Sequence, residues 1–415
     1  MKLAEEIKQA EQEAIVKEQK EKSMSVNFRF CGELKALKES EKFKPFETKT
    51  FETGWNIDTF IFQGVNGYNK HMFQIKAGYW AGVDGEVDGD RMQIYTVFQE
   101  EDESGKKTYS NEQVDYKDRG KAEILKKVPA YKKFTIDRNE PDAERNDDLR
   151  REYIYEGDFL KVMRELIASG NYAGRKFNVS GVVDIQYSAK TDKFYQTYTV
   201  QRVSLAKEDA EPKMVISGEF IYEAQSWDDS VYDDGRVAYS VWARVYDRQY
   251  KNDACKGWLA APMTFVFDPA YIVKDEAKRD AATKKLKERM SVVPDGAAYG
   301  TIKLEADVID DAQMEELTIN DLPPEVQEDI ELGLTDPETE LRKAGKRAFG
   351  DRIREMRIIR ANDAKASVFD DADVLSRPQH DENTTKTSAA TKKSKGPDID
   401  NAPFDVDGVD DIFDI

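Results

Sequence analysis

Cysteine and histidine are scarce: Cys31, Cys255, His71 and His380 are all that the 415 residues hold of the two types. A disulfide framework needs more cysteines and a zinc site needs clustered ligands, so both are excluded, and a Ser-His-Asp site would have to be built on a lone His71. Long apolar runs are missing as well. Nothing approaches the ~18 apolar residues of a membrane helix, and the N-terminus MKLAEEIKQAEQEAIVKEQKEK has no apolar signal core. A cytoplasmic protein with no membrane segment, no metal and no cofactor is expected.

Charge, by contrast, is abundant and unbalanced. There are 63 Lys and Arg against 82 Asp and Glu, a formal charge of −19, and 35% of residues are charged where about a quarter is usual. Residues 398–415 contain seven Asp and no base, and residues 362–397 contain six acids and six bases, so the first 361 residues hold −12. Within these, residues 160–205 contain seven bases and three acids, a +4 stretch in an acidic chain. Such a stretch is either a basic patch or ordinary scatter over a solvated face.

Residues 1–24 space Leu3, Ile7, Ala10 and Ala14 at three-four intervals, which predicts a charged helix. From Val26 the period becomes two. Further strands are expected at 55–66, 70–80 and 91–99, then at 176–188, 194–205, 213–225, 236–248 and 262–268, with a hairpin turn at Asn66-Gly67. Residues 100–152 are charged and poorly periodic, an insertion, and 157–169 forms a helix with Phe159, Leu160, Met163, Leu166 and Ile167 on one side. Three strands carry a small residue and a glycine between apolar residues, at Cys31-Gly32, Ser180-Gly181 and Ser217-Gly218. Glycine weakens a strand unless the strand must bend, bulge or admit a close neighbour. A five-stranded OB barrel with a helix between its third and fourth strands meets that need, and so does a bulged β-sandwich or jelly roll. The expected fold is mainly β with α additions. It divides into tandem OB-like barrels at 25–205 and 206–310, a small α+β subdomain at 311–361, a flexible linker at 362–404 and a disordered acidic tip at 405–415.

The spacings that gather reactive groups are not there. Gly64–Gly67 and Ser104–Thr108 lack the phosphate-loop pattern, and the run from Asp405 to Asp411 sets its glycine at position four of a calcium loop, not six. Asp233-Asp234-Gly235 reads as a turn. No catalytic residue is expected.

Aromatic and cationic residues do alternate. In 237–250, Val237, Tyr239, Val241, Ala243 and Val245 form a core face, while Trp242, Arg244, Tyr246, Arg248 and Tyr250 interleave three rings with two guanidinium groups. Rings stack on bases and cations neutralise phosphates, worth ~1–3 kcal/mol per base in sequence-tolerant single-strand binders. The alternative is that Trp242 and Tyr246 pack under adjoining helices while the arginines reach outward. A second cluster sets Phe194, Tyr198 and Arg202 beside Arg175, Lys176, Lys190 and Lys193, with Tyr195 on the opposite face. A third holds Trp55, Phe60, Phe62, Lys70, His71, Lys76, Tyr79 and Trp80, most of whose rings are expected in the core.

The chain ends in a tip that sets Asp405, Asp407, Asp410, Asp411 and Asp414 among Val406, Val409, Ile412, Phe413 and Ile415, and a pure solubility tail has no use for those apolar groups. A β body, a low-complexity linker and such a tip resemble the single-stranded DNA-binding proteins of bacteria and phages. The resemblance implies an OB body that binds single-stranded DNA and a tip that recruits replication or recombination proteins and competes with the strand. The bacterial tip ends in Pro-Phe, whereas here Phe413 is third from last, and the long body with its insertion is closer to a phage or prophage version. Two other readings stay open at this level: a non-enzymatic scaffold of β-barrels, and an OB-containing recombination factor or nuclease using carboxylate-bound Mg²⁺.

Overall fold

A computed structural model describes residue 20 and residues 24–374, apart from 41–42, 68, 102–103, 233–234, 248–256, 294–296, 312–313, 316–318, 320–321, 345–346, 349–352 and 363. Most of the expected N-terminal helix and all of the expected acidic tip lie outside the described residues.

Ten strands carry the architecture. The first half of the chain supplies β1 (Val26–Lys35), β2 (Trp55–Asn66), β3 (Asn69–Trp80), β4 (Lys176–Ser188) and β5 (Lys193–Leu205). The second supplies β6 (Lys213–Tyr222), β7 (Val237–Tyr246), β8 (Trp258–Phe267), β9 (Gly300–Asp311) and β10 (Ile353–Ala361). β2 and β3 form the hairpin that their alternation predicts, with Trp55 opposite Trp80, and its tight turn uses Gly67 at φ +68°. β1 pairs with both β2 and β4, β4 pairs with β5, and β5 runs parallel to β3. Five strands therefore close a ring in the order β1-β2-β3-β5-β4. Strands β6 to β10 close a second ring in the same order, with β10 parallel to β8. Each ring is a five-stranded barrel of the OB type, and the chain is mainly β with helices added.

The helices sit where that topology leaves room. α1 (Glu156–Ala168), between β3 and β4, turns Phe159, Leu160, Met163 and Leu166 into the core. α2 (Arg279–Ser291) holds the same place in the second half. There Tyr239 Oη donates to the Met290 carbonyl at 3.1 Å and Tyr222 Oη to that of Val292 at 2.8 Å.

The two rings join through β1 and β6, which pair antiparallel with Phe28 opposite Ile216. The same two residues face Gly181 on β4 and Ala306 on β9. The correspondence extends further. The parallel contacts place Thr199 opposite Gln74 in one ring and Arg357 opposite Val266 in the other, and a register shift interrupts β4·β5 next to Gly181 and β9·β10 next to Ala306. The chain is thus a structural duplication about a pseudo-dyad through the Phe28–Ile216 pair.

Several expectations need correction. Ile353–Ala361, expected in a separate subdomain, is the closing strand of the second barrel; its partners are 42 to 91 residues away in sequence, so local pattern could not place it. Residues 364–374, expected in the linker, are folded onto the second barrel. Lys365–Ala366 pairs with β9, and Phe369 and Val374 are buried against Ile221, Ala260 and Tyr299, the latter as part of the short α3 (Asp371–Val374). The insertion is built as well: its Lys107–Asp115 pairs with Gln93–Glu101, where a strand was expected at 91–99, over a small core that includes Met92, Ile94, Val114, Val128, Ile154 and Tyr155. Of the three strand glycines, two admit a close backbone. A Cβ on Gly32 would stand 2.4 Å from the Val65 oxygen and one on Gly181 would stand 2.0 Å from the Thr199 oxygen. Gly218 differs, its nearest neighbours being side chains at 3.0–3.2 Å. Among the described residues no helix is long and apolar enough to cross a membrane.

Candidate functional site

The face most expected to take a ligand is covered. Arg244 is 3% exposed; its Nε donates to the Lys20 carbonyl at 3.0 Å, Nη2 lies 3.8 Å from Asp373, and its guanidinium sits 4.8 Å from the Phe369 ring and 5.1 Å from Trp258. Burial pulls its pKa below the usual arginine value, and the charges of Asp373 and Asp370 only partly restore it. Trp242 stands edge-on to Tyr299 at 6.1 Å and packs against the cluster of Phe369 and Val374. Tyr246 is 45% exposed beside Trp258, and Arg248 and Tyr250 lie outside the described residues. The alternation of β7 is real, but its second face is roofed by the segment after β10 and by Met24. It is a second packing surface.

The +4 stretch also disperses. Arg175 holds Glu140 at 2.6 Å, Lys176 donates to the carbonyls of Glu208 and Ala210 at 2.7 and 2.8 Å, and Arg202 donates to that of Ala130 at 2.8 Å. Phe194 packs on Tyr187 at 5.2 Å. Lys190 and Lys193 are exposed at the turn between β4 and β5.

What that turn leads into is a cleft of about 850 Å³ between the barrels. Its floor is the outward side of β2 and β3, where period-two alternation presents Ile57, Thr59 and Ile61 beside Met72, Gln74 and Lys76. One rim comes from the segment between β1 and β2. Phe43 is fixed there by its N–H to Ser40 Oγ at 3.1 Å, and the strand Phe46–Thr50 pairs with β2 and brings Glu47 and Lys49 to the edge. The other rim is the start of β5, with Tyr195 and Tyr198. The far wall is the second barrel, from Val308 to Asp310 and from Arg354 to Met356.

The cleft's charges are uneven. Arg354 lies 3.5 Å from Asp310, and Glu355 takes both Arg236 and, at 3.0 Å, Arg357, so the far wall neutralises itself. Lys76 makes no ion pair among the described residues; burial lowers its pKa, with Asp184 acting against the shift. Tyr198 stands edge-on to Phe28 at 5.4 Å, and desolvation, reinforced by Asp310, pushes its phenol well above the usual range, so it stays protonated. His71 is buried and accepts from the Asn66 amide at 3.0 Å, a structural histidine. Among the described residues no group of His, Cys, Asp and Glu is placed to hold a metal.

Of the residues singled out by sequence, Tyr198, Tyr195, Lys76 and His71 come together here. Phe43, Lys49, Gln74, Asp310 and Arg354 were missed. Lys49 sits in FETKT, whose Phe and two Thr favour a strand, whereas the second-barrel residues carry no sequence signal because the approach of the barrels creates their role.

Fold and cleft together define a protein of paired OB-type barrels with an open face on the first barrel. No family model and no curated protein matches this chain. Among solved structures it is similar to a deletion mutant of the single-stranded DNA binding protein from Thermus aquaticus, at 11% identity over 73% of this chain and 98% of that one, with a TM-score of 0.26. At so low a TM-score the likeness carries no argument about this chain.

Proposed function

We propose that this protein binds single-stranded DNA along the cleft, without catalysis, as part of a phage-type replication or recombination system in the host cytoplasm. One observation carries the reading. The open cleft lies over the second and third strands of the first barrel, between the loop that follows its first strand and the turn before its fifth, and OB barrels take oligonucleotides on that surface. The rings of Tyr195 and Tyr198 and the amine of Lys76 suit bases and phosphates there. In this reading Asp405 to Ile415 recruit partner proteins, and their seven-charge neighbourhood, 398–415, competes with the strand while tethered beside it.

Quenching of tryptophan fluorescence by oligo-dT at several salt concentrations tests it. Lys49, Lys76, Lys190 and Lys193 offer four phosphate contacts, so log K should fall with log salt at a slope of about −3. Deleting 398–415 should raise affinity at low salt. A slope near zero, or no binding by the shortened chain, overturns the reading. Incubation with Mg²⁺ and with EDTA separates it from a nuclease, since the strand should stay intact in both.

A further inference from the structure

Past Lys76 the cleft continues, through Ile57 and Gln186, into a smaller pocket of about 390 Å³, within the ~300–1,000 Å³ range of small-molecule sites. Rings form much of its wall: Tyr155 is buried, Trp55 is half-buried, and Tyr95 leaves 80% of its surface exposed. A tyrosine so placed is costly for a free surface and useful against a flat ligand.

The pocket brings several acceptors together. Gln93 gives its amide nitrogen to Asp115 at 2.9 Å and Gln186 gives its own to Asp184 at 2.9 Å, so each has a carbonyl oxygen left. Glu156 stands in the first turn of α1, where burial raises its pKa and its own backbone N–H acts against the shift. The Lys76 amine is the one cation. A desolvated acceptor left without a donor is costly, and a donor-bearing ligand recovers that cost.

The four bases differ in what they bring. Guanine sets two adjacent donors, N1–H and N2–H, on one edge, a match for the two oxygens of a carboxylate. Thymine holds its single N3–H between two carbonyl groups, which a carboxylate repels, and adenine and cytosine each set one amino donor beside a ring-nitrogen acceptor. We propose that this pocket takes one guanine base of the bound strand, with Glu156 accepting N1–H and N2–H, the rings of Trp55 and Tyr95 against the base and Lys76 on its phosphate. The proposal rests on the single-strand reading above.

Fluorescence anisotropy of the full chain with labelled oligo-dT, and with the same oligonucleotide carrying one central dG, tests it. The dG strand should bind about tenfold tighter, as one bidentate contact to a base discriminates by about 1–3 kcal/mol. Inosine in that position lacks the 2-amino group and should lose part of the gain. In Glu156→Gln the ratio of the two affinities should fall toward one, with the circular-dichroism melt reporting that the variant folds; if it does not fold, inosine on the native chain makes the comparison. Equal affinity for the dT, dG and inosine strands, or a dG preference that survives in E156Q, overturns the guanine site and leaves single-strand binding standing. No binding of any strand overturns both.

Discussion

Gly181→Val should cost about 3 kcal/mol or more and lower the melting temperature by roughly 6–12 °C. The added Cβ would stand 2.0 Å from the Thr199 carbonyl oxygen and 2.9 Å from the Phe28 ring, and a backbone oxygen cannot move aside as a side-chain end can. The site lies at the register shift of β4·β5 and opposite Phe28 on the pseudo-dyad, so β1 is displaced together with its pairing to β6. Gly218→Ala is the control: its new contacts are side-chain atoms of Phe220 and Val26 at 3.0–3.2 Å, which adjust by a few tenths of an ångström. Thermal melts of the two variants decide the matter. An equal loss in both would mean that strand glycine as such, rather than the close backbone, sets the cost.

Arg244→Ala and Lys76→Ala should exchange effects. Removing Arg244 takes away a buried guanidinium between Trp258 and Phe369, its bond to the Lys20 carbonyl and one partner of Asp373. Losing one member of a fully buried pair costs about 3–5 kcal/mol, but Asp373 keeps Lys20 at 2.6 Å, so about 2–4 kcal/mol is expected here. Oligo-dT affinity of the folded protein should not change. Lys76→Ala removes a charge whose burial already disfavours it, so the melting temperature should hold or rise. Loss of a charged contact of about 1.5–3 kcal/mol should weaken oligo-dT binding roughly tenfold to a hundredfold. Melts and fluorescence titrations on both variants check the pair. Weakened binding in the Arg244 variant with none in the Lys76 variant would move the site from the first barrel's cleft to β7.

The contrast between these two cations shows how far sequence reached into the site. Lys76 and Arg244 both alternate with apolar residues in strands, and both have aromatic neighbours in sequence. The period assigns each to the outward face of its strand. It does not say what lies over that face. For Lys76 nothing among the described residues caps the strand, and a cleft opens; for Arg244 the chain returns after β10 and sets Phe369 on top. The ion pair at Arg175, inside the +4 stretch, has the same origin. Glu140 lies in the poorly periodic insertion, and folding brings it to Arg175.

By itself the sequence determined the strands of both barrels up to Phe267, the hairpin at Asn66-Gly67 and the helix α1, because each rests on a local period or a local turn. The glycines in β1 and β4 were legible for the same reason, as interruptions that demand a close neighbour. Tertiary structure alone decided that Ile353–Ala361 closes the second barrel, that the barrels are copies about one dyad, and which aromatic face stays open. Those outcomes depend on pairings between residues far apart in the chain, one of them parallel in each ring. A strand's alternation fixes which side chains face together, while the partner that covers them is chosen only when the ring closes.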